Sequence, residues 1–418
     1  MVSVVERLAV EEPTVPSRQS LKALGWLNFF LSGMQSAFGP IAAAYLAAQQ
    51  WTARDIGFVL SIGGIASLVS QVPGGELLDI VRAKRALTAT CVVTLALSAL
   101  ILRLWPSFPL VALAQVLQGI TGGVLGPAVV AITLGLVGHA ALAERLGQNQ
   151  RLAATGGVAV TLTMALIAFS GSPWAMLVPV ILAVPLLIAL TQIRAEEIDF
   201  ARASGAEPTR ADQSRRTRRH AVLLKNRRLL IFAVCAVLFQ LANASMLPLV
   251  GGMLAYESQR QAAPLVAALI IVPQLVVALF APWVGQQAEK LGRRPLLLVG
   301  FAALPIRAVL FALTSDPLAL IVFQLLDGIT AAVLGVMTAL VIADVTKGSG
   351  RFNLAQGVFG TLMGIGASLS PTVSGLIAHR FGHSAGFASL AGEGLVALVV
   401  LALFLPETKD EVPSKIST

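Results

Sequence analysis

Charge is scarce in this chain. Only 12% of its 418 side chains are Asp, Glu, Lys or Arg, against about 25% in an ordinary soluble domain. Hydrophobic residues make up 56%, so there are too few polar groups to cover a large soluble domain. Cysteine is nearly absent as well. Cys91 and Cys235 each sit inside an apolar run, which excludes a disulfide-stapled secreted fold and leaves neither thiol with an evident chemical task. Several chemical signatures are also missing: the G-x-x-x-x-G-K-[ST] phosphate loop, the H-E-x-x-H and C-x-x-C spacings, and the nucleophile elbow of serine hydrolases. No run carries the paired Asp-rich motif with which a membrane prenyltransferase holds magnesium and diphosphate. An ATP-driven pump, an enzyme, a resident metal and a cofactor are therefore not expected. The N-terminus, with Glu6, Glu11 and Glu12, lacks the clean apolar core and small-residue cleavage site of a signal peptide, so the first long run must direct insertion.

Long apolar runs are what the sequence has in their place. Twelve lie between charged or Pro/Gly-rich breaks, at roughly 22–47, 56–78, 86–104, 109–136, 152–170, 174–192, 229–253, 262–286, 295–313, 317–342, 353–378 and 385–404. A spanning helix needs about 20 residues, so twelve take about 240, close to the hydrophobic share of the chain. The pattern predicts an all-α integral membrane protein with short loops. One gap is long: residues 193–228 form a charged linker, expected to be solvated and cytoplasmic with a membrane-surface helix near its end. It divides a six-helix N-terminal half, 1–192, from a six-helix C-terminal half, 229–418. Placing the N-terminus inside puts 25 of the 30 Lys and Arg on the cytoplasmic side, which fixes the orientation by the positive-inside rule, with both termini cytoplasmic. Trp51, Trp105 and Trp174 fall at the three outer connections of the first half, as an interfacial belt requires. The net charge of +9 is thereby explained by topology, and nucleic acid drops out as a partner.

The two halves repeat. Gly75-Glu-Leu-Leu-Asp79, followed by Arg82-Ala-Lys84-Arg85, lies 210 residues ahead of Gly285-Gln-Gln-Ala-Glu289-Lys290-Leu-Gly292-Arg293-Arg294. Gln115-Val-Leu-Gln118-Gly119-Ile-Thr aligns at offset 209 with Gln324-Leu-Leu-Asp327-Gly328-Ile-Thr, and Gly147 and Gly156 match Gly357 and Gly366 at offset 210. Two like-oriented halves joined by a cytoplasmic linker form a parallel repeat about an axis along the membrane normal.

On these residues the chain resembles the major facilitator superfamily over about 20–405. That family's loop between the second and third helices reads Gly-x-x-x-Asp-Arg-x-Gly-Arg-Arg. The second copy here, Gly285 through Arg294, follows it with Glu for Asp and Lys for the first Arg; the first copy has Ile80 for Arg and Arg82 for Gly. The resemblance implies a secondary transporter of twelve transmembrane helices in two pseudo-symmetric six-helix halves. It departs from the family's drug:proton antiporters in two places. Gln115 stands where the fourth helix often has Arg, and the fifth span has no Gly-Pro.

A helix-terminal glycine lets a neighbour pack closely, and an acid there can accept from another helix's N-terminal N–H groups or pair with loop arginines. Such contacts exist in one of two rigid-body arrangements and bias the equilibrium between them. Gly75, Asp79, Arg82, Gly285, Glu289, Lys290, Arg293 and Arg294 are therefore candidate gating residues, with Asp79 and Glu289 as latch acids. The alternative for each basic residue is a plain topology signal.

The resemblance implies that the first, fourth, seventh and tenth helices line a central cavity. Gln115 with Gln118, Gln240 with Asn243, and Gln324 with Asp327 are i,i+3 pairs that share a helix face, and Gln35 sits at similar depth. Gln35, Gln118, Gln240, Asn243, Gln324 and Asp327 are the candidate substrate-binding residues. Asp327 lies about ten residues, or about 15 Å, into the tenth span. It is the candidate proton-coupling residue or the partner of a cationic solute, the alternative being a structural acid. Arg307 and Glu393 fall on helices expected to be outer scaffold, snorkelling or held by a structural partner. The expectation is proton-coupled export of a small organic solute across a bacterial plasma membrane by a monomer embedded in the lipid bilayer. Export is favoured by the short loops and the lack of an outer capture domain. The alternatives are proton symport or facilitated uptake of a metabolite or chelate, or a non-transporting membrane sensor.

Overall fold

The computed structural model describes residues 16–169, 177–206, 226–257 and 259–409. Trp174 and most of the second half of the linker, where a surface helix was expected, lie outside them. Among the described residues the chain is helical and carries no strand. Before the linker come α1 (Arg18–Ala48), α2 (Ala53–Ile80), α3 (Lys84–Leu104), α4 (Phe108–Val137), α5 (Leu142–Phe169) and α6 (Val178–Gln192). The linker holds the single-turn α7 (Phe200–Ala203). After it come α8 (Arg227–Asn243), α9 (Met246–Glu257), α10 (Gln259–Leu291), α11 (Arg293–Leu313), α12 (Pro317–Thr346), α13 (Phe352–Phe381) and α14 (His383–Phe404). With α8 and α9 in one span, these make twelve.

Polar side chains set where several of the helices start. Thr52 caps α2 by accepting from the N–H of Asp55, Asn226 caps α8, and Asp316 caps α12, where Pro317 occupies the first turn without needing a donor. Two N-termini are capped from a distance. The Glu407 carboxylate accepts from Arg293 N (2.8 Å) and Arg294 N (3.1 Å) at the start of α11, whose own N-cap is Gly292. The second is at α13 and forms part of the site below.

Three departures from the sequence expectation have identifiable causes. The polar stretch 144–151 belongs to α5 and not to a loop, because Gln148 bonds Glu144 one turn back and Asn149 donates to Thr133 of α4. The seventh span is broken at Ala244 and Ser245. There the freed N–H of Ser245 donates to Ser370 Oγ of α13 (3.1 Å), and the two hydroxyls lie 2.6 Å apart. Lastly, the first dozen linker residues are docked. Glu197 accepts from the N–H and hydroxyl of Ser17, Asp199 N donates to Gly135 O of α4, and Ser204 O and Gly205 O accept from Phe352 N and Gly350 N. Burial acts to raise the Glu197 carboxyl, but the Ser17 N–H, the Ser20 and Ser17 hydroxyls and the Arg194 guanidinium outweigh it and hold it below the usual carboxylate range.

The core divides as the repeat does. One cluster of buried side chains runs from Ala23 to Ile193 within α1–α4 and α6, and the other fills α8–α14 but also takes in Leu142, Ala143 and Leu146 of α5. Alpha-helix α5 thus packs on α1 in its own half and on α10 in the other, as α2 does on α4 and α13.

Candidate functional site

Arg307 of α11 is the centre of a polar cluster inside the second half. Its side chain is 3% exposed and turns inward, where it pairs with Asp327 of α12. The same guanidinium donates to Gln324 Oε1 (3.2 Å), to Asn243 Oδ1 at the end of α8, and to the Met246 sulfur at the start of α9 (3.2 Å). Gln324 completes its own bonding by donating to Leu269 O of α10 (3.0 Å). Three of the six expected substrate residues, Asn243, Gln324 and Asp327, are therefore gathered around one cation. The partner expected for Arg307 is Asp327. The break between α8 and α9 brings Asn243 and Met246 to the cluster from the two arms of one span. Gln324 has both its amide oxygen and its amide nitrogen bonded in this network, whereas the Asp327 side chain stays 26% exposed. Gln240 stands one turn before Asn243 and is half-buried.

The first half holds a cavity of about 360 Å³ between α1, α2, α3 and α4. Gln35, Ser67, Gln115 and Gln118 supply its polar lining, with Leu60, Leu95, Leu125 and four glycines. Gln115 is buried, with its amide oxygen facing α2 at Gly63 and its nitrogen without a hydrogen-bond partner. Gln118 Oε1 is likewise buried and without one. Of the predicted residues, Gln35 and Gln118 thus line a neutral cavity in the first half, Asn243, Gln324 and Asp327 are gathered around Arg307 in the second, and Gln240 stands outside both groups.

On the side where the linker lies, two seams join the halves. In the first, between α2 and α13, a Cβ at Gly75 would collide with Asn353 O and one at Gly357 with Gln71 O. In the second, between α5 and α10, a Cβ at Gly285 would meet Ala143 O and one at Gly147 would meet Ala281 O. Adding 210 to Gly75, Gln71, Ala143 and Gly147 gives Gly285, Ala281, Asn353 and Gly357. The sequence repeat is therefore the symmetry that relates one seam to the other. The absence of side chains at these four positions is what lets backbone meet backbone.

The first seam is latched. Asp79, 9% exposed at the end of α2, accepts from Asn353 N (3.1 Å), Asn353 Nδ2 (2.8 Å) and Leu354 N (2.9 Å), so a carboxylate of one half caps a helix of the other. Asn353 also donates to Ala203 O of α7, which ties the linker into the same knot. Arg82 and the buried Lys84 lie over the Phe200 ring of α7, at 5.8 Å and 4.7 Å from its centroid. Glu289, the repeat mate of Asp79, does something else. It pairs with Arg293 (3.1 Å) and Lys409 (3.8 Å) inside its own half. Arg293 is buried and reaches on to Asp344 of α12 (2.9 Å), while Arg294 donates to Ala402 O of α14. Lys290 is exposed. Of the eight expected gating residues, Gly75, Asp79 and Gly285 stand at the seams, Arg82 faces the docked linker, Glu289, Arg293 and Arg294 hold α10, α11, α12 and α14 together within the second half, and Lys290 is exposed.

Comparison with known proteins agrees with this architecture. The family model described as Major Facilitator Superfamily matches residues 24–274 and 261–418. An uncharacterised MFS-type transporter of Mycobacterium tuberculosis is 37% identical over 398 residues, 95% of each chain. A class B tetracycline resistance protein of Escherichia coli is 33% identical over 142 residues, 34% of this chain and 35% of that one. Among solved structures, the Escherichia coli fucose:proton symporter superposes with a TM-score of 0.71 at 14% identity, covering 94% of this chain and 98% of that one. The fold is that of a multi-pass membrane transporter built from two six-helix halves. The chain belongs to the Major Facilitator Superfamily.

Proposed function

We propose that this transporter exports a small organic solute from a bacterial cytoplasm in exchange for protons, with the linker and both termini cytoplasmic. Proton coupling would run through Asp327. The single observation that carries this reading is the pairing of Arg307 with Asp327 inside the second half, with the carboxylate still partly exposed. Ionised, Asp327 balances the buried guanidinium. Protonation removes that balance and leaves Arg307 held by the neutral oxygens of Gln324 and Asn243. An intramembrane acid whose pairing depends on its protonation state supplies the differential interaction that couples ion movement to a conformational equilibrium. Of the remaining expected binding residues, Gln35 and Gln118 would meet the solute at the cavity of the first half, and Gln240 would meet it beside the charged cluster. The seams sealed on the linker side describe one of the two states of alternating access, the one closed to the cytoplasm. Export is supported by a partial relative whose name carries it, the tetracenomycin C resistance and export protein of Streptomyces glaucescens, matched over 30% of this chain.

The test is proton flux in everted membrane vesicles with an acid interior, challenged with antibiotics, organic cations, organic acids and chelators. Collapse of the gradient by one compound class in the wild type, lost in Asp327→Asn, is the expected result. Gradient-driven accumulation that survives Asp327→Asn overturns the coupling role, and no response to any compound turns the search to uptake.

A further inference from the structure

Resting on the transport reading above, we infer that the cavity of the first half is a subsite for a neutral hydrogen-bonding moiety of the solute, a group that carries an acceptor beside a donor, such as a carboxamide. The lining contains amides, a hydroxyl, leucines and glycines and no charged side chain. A cation or an anion seated there would have no counter-charge, and transfer of an unpaired ion into such a site is strongly unfavourable. What the site does offer is the amides of Gln115 and Gln118 on the same face of α4, whose Nε2 and Oε1 atoms, respectively, are turned into the protein without partners and would gain them by turning to an acceptor and a donor in the cavity. An unsatisfied buried polar atom costs free energy until something satisfies it, so a solute group with the complementary acceptor and donor is favoured once the two side chains turn toward it.

The shape of the cavity supports the same occupant. Gly63 gives the buried Gln115 its room. Gly64 and Gly122, by contrast, face open space, with no atom within 4 Å of where a Cβ would stand. Their missing side chains leave volume for a ligand and are not required by helix packing. At about 360 Å³ the space lies at the small end of the range for organic ligands, so it suits one ring-sized moiety of a larger solute.

The experiment is equilibrium binding of three labelled probes of matched size, 2-naphthamide, 2-naphthoate and 2-naphthylmethylammonium, to the full-length protein in nanodiscs. Counterflow of the same probes in proteoliposomes runs in parallel. The wild type is expected to bind the carboxamide about tenfold or more tightly than either ion, and Gln115→Leu or Gln118→Leu to weaken it by about tenfold each. Gly122→Leu, which fills open space, is expected to abolish binding while leaving thermal stability intact. Gln118→Glu is expected to invert the preference toward the ammonium, a change that mere loss of structure cannot produce. The inference is overturned if the wild type does not bind the carboxamide, if it prefers either ion, or if both leucine variants bind as the wild type does. Binding without counterflow would sink the transport reading and leave the subsite standing. Counterflow of the carboxamide that ignores both glutamines would do the reverse.

Discussion

At the scale of single residues, the most consequential side chain is Arg307, which sequence reasoning assigned to the outer scaffold. Its presence in the ninth span was legible, but its direction was not. A helix that is apolar on all sides gives no stripe from which to read its rotation, so the side that Arg307 presents is set by packing against α12 and α14. Asp327 was legible as an acid in mid-span, and its partner was the missing half of the reading. A buried ion pair loses about 3–5 kcal/mol when one member is removed, because the other is left uncompensated, whereas replacing both members is far milder. Arg307→Met and Asp327→Leu are each expected to lower the thermal stability of the solubilised protein strongly, and the double variant to recover most of the loss. Equal additive losses would mean that the two charges do not share a site.

Glu407 offers a residue-scale prediction with a pH sign. Burial acts to raise its carboxyl, but the N–H groups of Lys409, Arg293, Arg294 and Thr408 prevail and hold it below the usual carboxylate range. A folded-state value below the unfolded one means that the contribution is complete above the unfolded pKa and disappears as pH falls through the folded one. Glu407→Gln is expected to cost about 1 kcal/mol at neutral pH, the usual scale of a lost helix cap. That difference should vanish in acid below the ordinary carboxylate pKa, as read by the melting temperatures of the two proteins across pH. A difference that grows on acidification would contradict the capping role.

At the scale of elements, the repeat offered two candidate latch acids, and one of them bonds across a seam. The glycines of both seams match, yet Asp79 reaches across to the N-terminus of α13 while Glu289 is drawn to Arg293 and Lys409. Sequence spacing located the acids, but it was silent on the competing cations around Glu289, one of which, Lys409, comes from beyond the last span. Hydrogen bonds to a charged group contribute about 1.5–3 kcal/mol, so Asp79→Asn is expected to shift the linker-side equilibrium toward the open form by about tenfold or more. Glu289→Gln should leave the α2 to α13 distance unchanged. Spin-label distances across each seam, measured after Cys91 and Cys235 have been replaced, would show the asymmetry; equal responses to the two substitutions would refute it. The docked linker was the least legible element. Residues 195–206 are polar enough to read as solvated, and the contact is revealed by the bonds of Glu197 to Ser17 and of Asp199 to Gly135, the carbonyls presented to α13, and the ring that Phe200 places beneath Arg82 and Lys84. Phe200→Ala is expected to move the first seam in the same direction as Asp79→Asn, by a smaller amount, in the same distance measurement.

At the scale of the whole molecule, twelve apolar runs, one long gap and an offset of 210 residues were sufficient for the architecture. Periodic hydrophobicity and internal symmetry are global signals that tolerate local error. The same offset superposes one seam on the other, so the symmetry of the sequence is also the symmetry of the contacts between the halves. The site was only half legible, because its polar residues could be named but not their grouping into a neutral cavity and a charged cluster. That division follows from which partners the folded halves supply. It also makes a joint prediction: the charged cluster governs whether movement is driven, and the cavity governs what is moved.

The most direct measurement is therefore made in proteoliposomes, on wild type and Asp327→Asn side by side, with a solute identified by gradient collapse. Exchange of labelled for unlabelled solute at equal pH is compared with accumulation driven by a pH difference. Retained exchange with lost accumulation in Asp327→Asn is the predicted result, because solute binding and rocking of the halves survive while the proton-linked ion pair is gone. Accumulation by Asp327→Asn at the wild-type level would contradict it and remove the Arg307 and Asp327 pair from the coupling mechanism.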